Sequence, residues 1–199
     1  MKILVTGFDP FGDEAINPAY EAVKLLPDKI AGAEIIKAEL PTVFGKCGEV
    51  LAHKIEKYKP DVVLCVGQAG GRSGISIEKV AINLADASAS DNEQRQPLDE
   101  PIIEGGPTAY FSNLPLKAMV QNINEHGIPA SISYTAGTFV CNDVMYWLLH
   151  MIEHKYRAMR GGFIHVPYDT AQAVGKPDGT PSMPIAIIAK GLEYAIEAI

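Results

Sequence analysis

The segment DVVLCVG, residues 61–67, contains five consecutive apolar residues and ends at a glycine. A strand that is apolar on both sides indicates a sheet covered on both faces, which is typical of parallel sheets in α/β proteins. The segments KILVTG (2–7) and GGFIHV (161–166) have the same character. All three therefore predict buried strands.

Helical patterns alternate with these strands along the chain. In one of them Phe44, Cys47, Leu51, Ile55 and Tyr58 form a single apolar stripe. Further strands are predicted at AEIIKAEL, ISIEKVAINLAD and ASISYT, and helices at 17–26, 44–58, 114–127, 141–156 and 184–199. Alternation of strands and helices predicts one α/β domain over residues 1–199, a sandwich around a largely parallel, mixed and twisted sheet.

Composition limits the classes of function. The net charge of −7 argues against a nucleic-acid partner, because phosphate binding needs a basic surface. No run of 18 apolar residues is present, so no membrane span is expected, and the N-terminus MKILVTGFDPFG lacks the features of a signal peptide. Three cysteines without paired spacing favour a reducing, cytoplasmic location over a disulfide framework.

Residues 85–115 have little regular pattern. A segment this long without secondary structure is usually functional or disordered. A flap near a binding site and a surface excursion are equally compatible with the sequence.

The three cysteines differ in their surroundings. Cys47 and Cys65 lie on apolar patterns and are expected to be core residues. Cys141 lies at a predicted strand-to-helix junction, where free N–H groups and the helix dipole favour a thiolate. It is either a nucleophile or a third small buried residue.

A catalytic thiol needs a base, and His165 is the best-placed histidine. It ends the apolar strand GGFIHV, and ligands in open α/β sheets bind at the C-terminal ends of strands. A buried structural histidine is the alternative. His150 and His154 have a spacing that can bind metal, but a pair alone is a weak signal.

A third group would orient the imidazole. Glu78 lies on the otherwise apolar face of an extended segment, so it is a candidate acid. Asp91, Asp143 and Asp169 remain competitors, because spacing alone does not choose among them.

The turn TGFDPFG follows the first strand and invites a dinucleotide-binding interpretation, but G-x-G-x-x-G is absent. Phe8 and Phe11 stand where small residues would admit a pyrophosphate. They are either walls of a small apolar pocket or a plug packed on the sheet.

Five blocks together resemble the pyroglutamyl peptidase I family of cysteine peptidases, also called pyrrolidone-carboxylate peptidases. The blocks are TGFDPFG, GQAGGRSGISIEKVAIN, GGPTAYFSNLP, GTFVCN and HVPY, in the family's order over nearly the whole chain. The resemblance implies an α/β/α fold and a homotetramer. It also implies removal of N-terminal pyroglutamyl residues from peptides by thiolate acyl transfer, with no metal or cofactor.

The resemblance also assigns roles to residues. It implies Cys141 as nucleophile, His165 as general base and Glu78 as orienting acid. Phe8, Phe11 and Phe139 would wall the substrate pocket, and Asn17 and Gln68 would meet the lactam. Other classes stay open: a nucleoside-phosphorylase-like enzyme, suggested by Arg72 and Ser73, and a non-catalytic small-molecule binding protein.

One departure from the family pattern falls in ADASASDN. Relatives commonly carry an arginine where this chain has Ser88. That arginine either helps to stabilise the oxyanion through its side chain or contributes only its backbone N–H.

Overall fold

The central sheet of the computed structural model, which describes residues 1–199, has seven strands in the order β2-β3-β1-β4-β9-β5-β8. A separate two-stranded ribbon joins β6 and β7. The strands are β1 (Lys2–Phe8), β2 (Lys29–Ile30), β3 (Ala33–Leu40), β4 (Val62–Gln68), β5 (Ile75–Glu78), β6 (Val80–Ile82), β7 (Ala109–Phe111), β8 (Ala130–Ser133) and β9 (Arg160–Val166).

Six helices complete the chain: α1 (Pro18–Leu25), α2 (Lys46–Tyr58), α3 (Leu116–Glu125), α4 (Val140–His154), α5 (Thr170–Ala173) and α6 (Ile185–Glu197). The five helices predicted from sequence are confirmed to within two residues at each end. The four-residue α5 was not predicted, because one helical turn is too short to show an apolar periodicity. None of the helices combines the length and hydropathy needed for a membrane crossing.

The apolar strands lie at the centre of the sheet, as their composition predicts. In β4, Val62, Leu64 and Val66 pack into one apolar core, while Val63 and Cys65 pack into the other. Helices α1, α3 and α6 cover the first face, and α2 and α4 cover the second. Strands β3, β1, β4 and β9 run parallel, whereas β5 is antiparallel to β9. The predicted α/β sandwich with a largely parallel, mixed sheet is confirmed.

The predicted extended segment ISIEKVAINLAD divides between the two sheets. Its first part, β5, joins the central sheet, and its second part, β6, pairs with β7. Lys79 stands between them, donating its N–H to Ser133 and accepting from the N–H of Ser112. The switch of sheets leaves Glu78 as the last residue of β5, fully buried.

The long segment 85–115 is attached to the loops that follow β1 and β3. The Asp91 carboxylate accepts N–H groups from Phe44, Glu93 and Arg95. The Asn92 side chain donates to the carbonyl of Pro10. These bonds hold the segment against loops at the C-terminal ends of two central strands.

Helix α1 approaches the sheet closely at Gly7. A Cβ atom at this position would lie 2.5 Å from the Cα of Tyr20, so only glycine fits. The helix begins at Pro18, and the side chain of the N-cap residue Asn17 accepts the N–H of Ala19. The close contact therefore fixes the start of α1 near the end of β1.

We expect Gly7→Ala to lower the free energy of unfolding by about 2 kcal/mol, because the new methyl group meets backbone that cannot move aside. Chemical denaturation measures this change. Gly191→Ala is the control: its Cβ would meet only the terminal methyl of Ile75, which can rotate, and alanine gains helix propensity of about 1 kcal/mol. Equal losses for the two variants would contradict the argument.

Candidate active site

The C-terminal ends of β1, β4 and β9 meet the first turn of α4. Phe8 ends β1, Gln68 ends β4, and His165 is the penultimate residue of β9. Cys141 is the second residue of α4 and is partly buried. Parallel strands place all these positions at one edge of the sheet, where ligands of α/β proteins bind.

The Cys141 sulphur occupies the space that a side chain on β4 would fill. A Cβ atom at Gly67 would lie 2.7 Å from this sulphur and 2.7 Å from the Phe163 ring. Gly67 is the register partner of His165 on the adjacent strand β9. Register partners point to the same face on strands about 4.8 Å apart, so the sulphur and the imidazole are neighbours on one face.

His165 is bound to Glu78 on the other side. The distance between His165 Nδ1 and Glu78 Oε1 is 2.7 Å, and both side chains are buried. An ionised carboxylate only accepts hydrogen bonds, so Nδ1 carries the proton and Nε2 is the basic nitrogen. Glu78 on β5 and His165 on β9 are therefore followed by Cys141 of α4, whose sulphur lies over Gly67 of β4.

Arg72 neutralises the buried acid. Its Nη1 lies 2.7 Å from Glu78 Oε1, and its Nη2 donates to the carbonyl of Thr135 at 3.2 Å. Burial acts to raise the pKa of Glu78, but the hydrogen bonds from His165 and Arg72 outweigh it and leave the pKa lowered. Glu78 is thus an ionised carboxylate within an ion pair.

Burial favours the neutral forms of the Cys141 thiol and the His165 imidazole. Burial raises the pKa of Cys141 to about 12, and the Glu78 carboxylate adds to the rise while Arg72 opposes it. Burial also lowers the pKa of His165, although its bond to Glu78 acts in the other direction. The helix start was expected to favour a thiolate at Cys141; burial acts against this, and no N–H group of the chain donates to the sulphur.

A small cavity opens directly beside Cys141. It is lined by all five residues assigned to the pocket in the sequence analysis, with three others: Phe8, Phe11, Asn17, Thr42, Gln68, Phe139, Val140 and Cys141. The Phe11 and Phe139 rings are 6.0 Å apart, and Phe44 supports Phe139 edge-on at 5.2 Å. The aromatic residues thus form cavity walls rather than a plug.

The two amide side chains of the cavity differ in how they are bonded. Asn17 uses its oxygen on the N–H of Ala19 and its nitrogen on the carbonyl of Asp9. Gln68 uses its oxygen on Gln172 Nε2, at 3.0 Å, and its own amide nitrogen has no partner in the chain. Gln68 is therefore the freer of the two hydrogen-bond donors.

The competing acids are engaged elsewhere. Asp91 binds backbone of its own loop and of Phe44, and Asp169 caps α5. Asp143 accepts from the N–H of Gly45 and the thiol of Cys47. None of the three is bonded to His165, whereas Glu78 is.

The remaining candidates lie away from the cavity. The Tyr110 hydroxyl lies 2.9 Å from His150 Nδ1 and 3.1 Å from His154 Nε2. The structure contains no group of three or more His, Cys, Asp or Glu side chains that could hold a metal ion. A larger open groove, lined by residues within 55–61 and 155–159, lies near the starts of β4 and β9 and contains neither cysteine nor histidine.

Four residues of the site were missed by sequence reasoning. Gly67 was visible only as a glycine at a strand end. Gln172 was visible only as a glutamine after a proline-containing turn. Arg72 was noted as a possible phosphate ligand or as an arginine that reaches the site from a loop, but its ion pair with Glu78 was not predicted. Asn142, fully buried, bonds the backbone of Ile82 and Leu84 and anchors the start of α4.

Comparison with known proteins identifies the family of this chain. The family model for pyroglutamyl peptidase matches residues 1–199. The chain belongs to the pyroglutamyl peptidase family. It is 62% identical to the pyrrolidone-carboxylate peptidase of Enterococcus faecalis over 198 residues, covering 100% of this chain and 92% of that protein. It is 60% identical to that of Clostridium perfringens over 199 residues, covering 100% and 93%.

Solved structures of this pyroglutamyl peptidase family share the fold. The crystal structure of pyroglutamyl peptidase I from Bacillus amyloliquefaciens matches with a TM-score of 0.96 at 48% identity, covering 99% of this chain and 93% of that one. A mutant pyrrolidone carboxyl peptidase from Pyrococcus furiosus matches with a TM-score of 0.95 at 47% identity, covering 100% and 97%. These matches do not support a nucleoside-phosphorylase-like enzyme or a non-catalytic binding protein. Arg72, which suggested a phosphate site, forms an ion pair with Glu78 instead.

The raised pKa of Cys141 predicts how thiolate appears with pH. We expect the ultraviolet absorbance difference between the wild type and Cys141→Ser to show no thiolate at about pH 7 and to rise only well above the usual thiol pKa of about 8.5. The sign follows because a raised pKa keeps the proton on sulphur until higher pH. A thiolate signal that is complete below neutral pH would contradict the neutral resting pair.

Proposed function

We propose that this chain removes N-terminal pyroglutamyl residues from peptides, with Cys141 as nucleophile, His165 as general base and Glu78 as the acid that orients His165. The observation that carries the proposal is the 2.7 Å bond between His165 and Glu78, beside a cysteine sulphur seated on the neighbouring strand. A nucleophile, a base and an orienting group in this order are the requirement for covalent acyl transfer.

The cavity suits a pyroglutamyl ring. The ring is flat and uncharged, with one N–H and one carbonyl at its polar edge. Phe8, Phe11 and Phe139 offer apolar and aromatic walls, and no charged side chain lines the cavity. Gln68 and Asn17 carry the amide groups that would meet the lactam, which is how a small pocket recognises a neutral ring.

The neutral resting pair sets the order of proton transfers. His165 Nε2 takes the thiol proton as Cys141 Sγ attacks the carbonyl that follows the ring. The N–H of Cys141, which donates no backbone hydrogen bond at the helix start, would stabilise the oxyanion. The imidazolium then protonates the leaving amine, the C–N bond breaks, and a thioester remains.

Hydrolysis of the thioester completes the cycle. His165, neutral again, removes a proton from water as the water attacks the thioester carbonyl. The C–S bond breaks, Cys141 regains a proton from His165, and free pyroglutamate leaves. The buried Glu78 holds the ring of His165 in one tautomer throughout, and its charge stabilises the imidazolium.

Location and assembly follow the same proposal. The three cysteines are all free, which supports a reducing compartment such as the cytoplasm. The resemblance to the family supports a homotetramer, and large apolar side chains such as Phe111 and Tyr134 are exposed in the single chain. Peptides with N-terminal pyroglutamate are the proposed partners.

Replacing the nucleophile tests the mechanism. We expect Cys141→Ser to lower kcat/KM on a chromogenic pyroglutamyl amide by at least about 10³-fold, because the alcohol is a far weaker nucleophile than the thiol at neutral pH. Circular dichroism and thermal unfolding check that the fold is kept. Substantial activity in the folded variant would refute the assignment.

The other two cysteines supply the controls. Cys65→Ala and Cys47→Ala should reduce stability but keep activity, because both thiols are buried in the core. Cys65 lies within β4, and the Cys47 thiol donates to Asp143. Blocking thiols with an alkylating agent should inactivate the wild type, and a chelator with reductant present should not. Loss of activity that zinc alone restores would count against a thiol mechanism.

The resemblance to the family implies an arginine where this chain has Ser88. It is exposed and does not line the cavity. Arg95 lies 5.8 Å from the Phe44 ring but is paired with Glu100. Ser88 therefore supplies at most its backbone to the site.

We expect Ser88→Arg to change kcat/KM on a pyroglutamyl amide by less than about tenfold, because a backbone role does not depend on the side chain. Steady-state kinetics of the two proteins measure the ratio. A gain of about a hundredfold or more would instead show that a charged side chain is missing from the oxyanion site.

A further inference from the structure

Gln172 lies behind the cavity and connects it to a polar cluster. It is nearly buried, at 9% exposure, and belongs to the short helix α5. Its Oε1 accepts the N–H of Asp169 at 3.0 Å. Its Nε2 lies 2.9 Å from Glu14 Oε2, 3.0 Å from Gln68 Oε1 and 3.4 Å from the carbonyl of Ile16.

The neighbours of Gln172 allow only one orientation of its amide. The N–H of Asp169 can only donate, so the atom that faces it must be the oxygen. The Ile16 carbonyl can only accept, and so can Glu14, whose pKa is lowered chiefly by its hydrogen bond to Lys176. The atom that faces these two groups must therefore be the nitrogen.

The fixed amide of Gln172 in turn fixes the amide of Gln68. The Gln68 atom that lies 3.0 Å from Gln172 Nε2 must be an acceptor, and so it is Oε1. The Gln68 amide nitrogen then becomes the group left for the cavity, where it has no partner in the chain. Without Gln172, either end of the Gln68 amide could face a ligand.

We propose that Gln172 is a positioning residue that sets the specificity of the cavity by holding Gln68 with its N–H₂ group toward the ring carbonyl of the substrate. The inference rests on the proposed function and deepens it. Its effect is confined to substrates that have a ring carbonyl, because an amide nitrogen gains nothing from a ring without an acceptor. If the Gln68 amide were turned over, its oxygen would face the ring carbonyl oxygen of the lactam.

A charge-conserving swap tests this role. In the double variant Glu14→Gln with Gln172→Glu, residue 172 still accepts from Asp169 but offers Gln68 an oxygen, so the Gln68 amide turns over. We expect KM for a pyroglutamyl amide to rise about 10- to 100-fold with kcat changed less than about threefold. For the matching cyclopentanecarbonyl amide, whose ring has the same shape but no polar edge, we expect no selective loss.

The single variant Glu14→Gln is the matched control, because it removes the same carboxylate but keeps the bond from Gln172 to Gln68. Its KM should stay within about threefold of the wild type. Thermal unfolding and the rate of Cys141 alkylation report on the fold. If the double variant does not fold, Gln172→Met takes its place, because it removes the donor without adding charge. The KM values for the same two amides are then compared.

The inference alone would be overturned by an unchanged KM for the pyroglutamyl amide in the folded variants, or by an equal loss for both amides. A fall in kcat without a rise in KM would also contradict it, since that would place Gln172 in the chemical step. A wild-type chain that hydrolyses neither amide would instead overturn the proposed function, and this inference with it.

Discussion

The close contact between the first turn of α4 and Gly67 is the constraint on which the site depends. Cys141 reaches the sheet only because β4 has no side chain at this position, and the sulphur fills that space next to His165. The start of α4 is then held from two further directions. Asn142 binds the backbone at the end of β6 and just beyond it, and Asp143 binds the loop before α2. In the proposed mechanism, a helix start fixed in this way positions Cys141 for acyl transfer.

The electrostatics of the site follow from its burial. A lone carboxylate at Glu78 would be costly in the interior, and Arg72 makes it an ion pair that remains an acceptor for His165. Arg72 also opposes the influence of Glu78 on Cys141 and on His165. With these charges balanced, desolvation favours the neutral forms of the thiol and the imidazole. In the proposed mechanism charge develops during attack, and the adjoining Glu78 carboxylate stabilises the imidazolium.

The sequence was sufficient for features that depend on local pattern. Continuous apolar runs predicted the central strands, because the side chains of each strand pack into two apolar cores, one on each face of the sheet. The strand-to-helix junction before Cys141 predicted a helix start. Contacts between residues that are far apart in the chain could not be predicted from the sequence. Glu78 could not be separated from Asp91 until the antiparallel pairing of β5 with β9 placed Glu78 beside His165. Gln172 and Gln68 are 104 residues apart and meet through a helix of one turn, which leaves no periodic signal.

Segment 85–115 shows why a flap and a surface excursion could not be told apart by composition. Its polar residues are used internally: the Asp91 carboxylate binds three backbone N–H groups, and Asn92 binds the loop after β1. A polar segment with these bonds braces the loops that carry Phe11 and Thr42, two residues of the cavity wall. A braced wall of aromatic rings suits a rigid, flat ligand, since neither partner loses much conformational freedom on binding. In the proposed function, recognition of the small ring would therefore depend on segment 85–115 as well as on the residues that touch the ring.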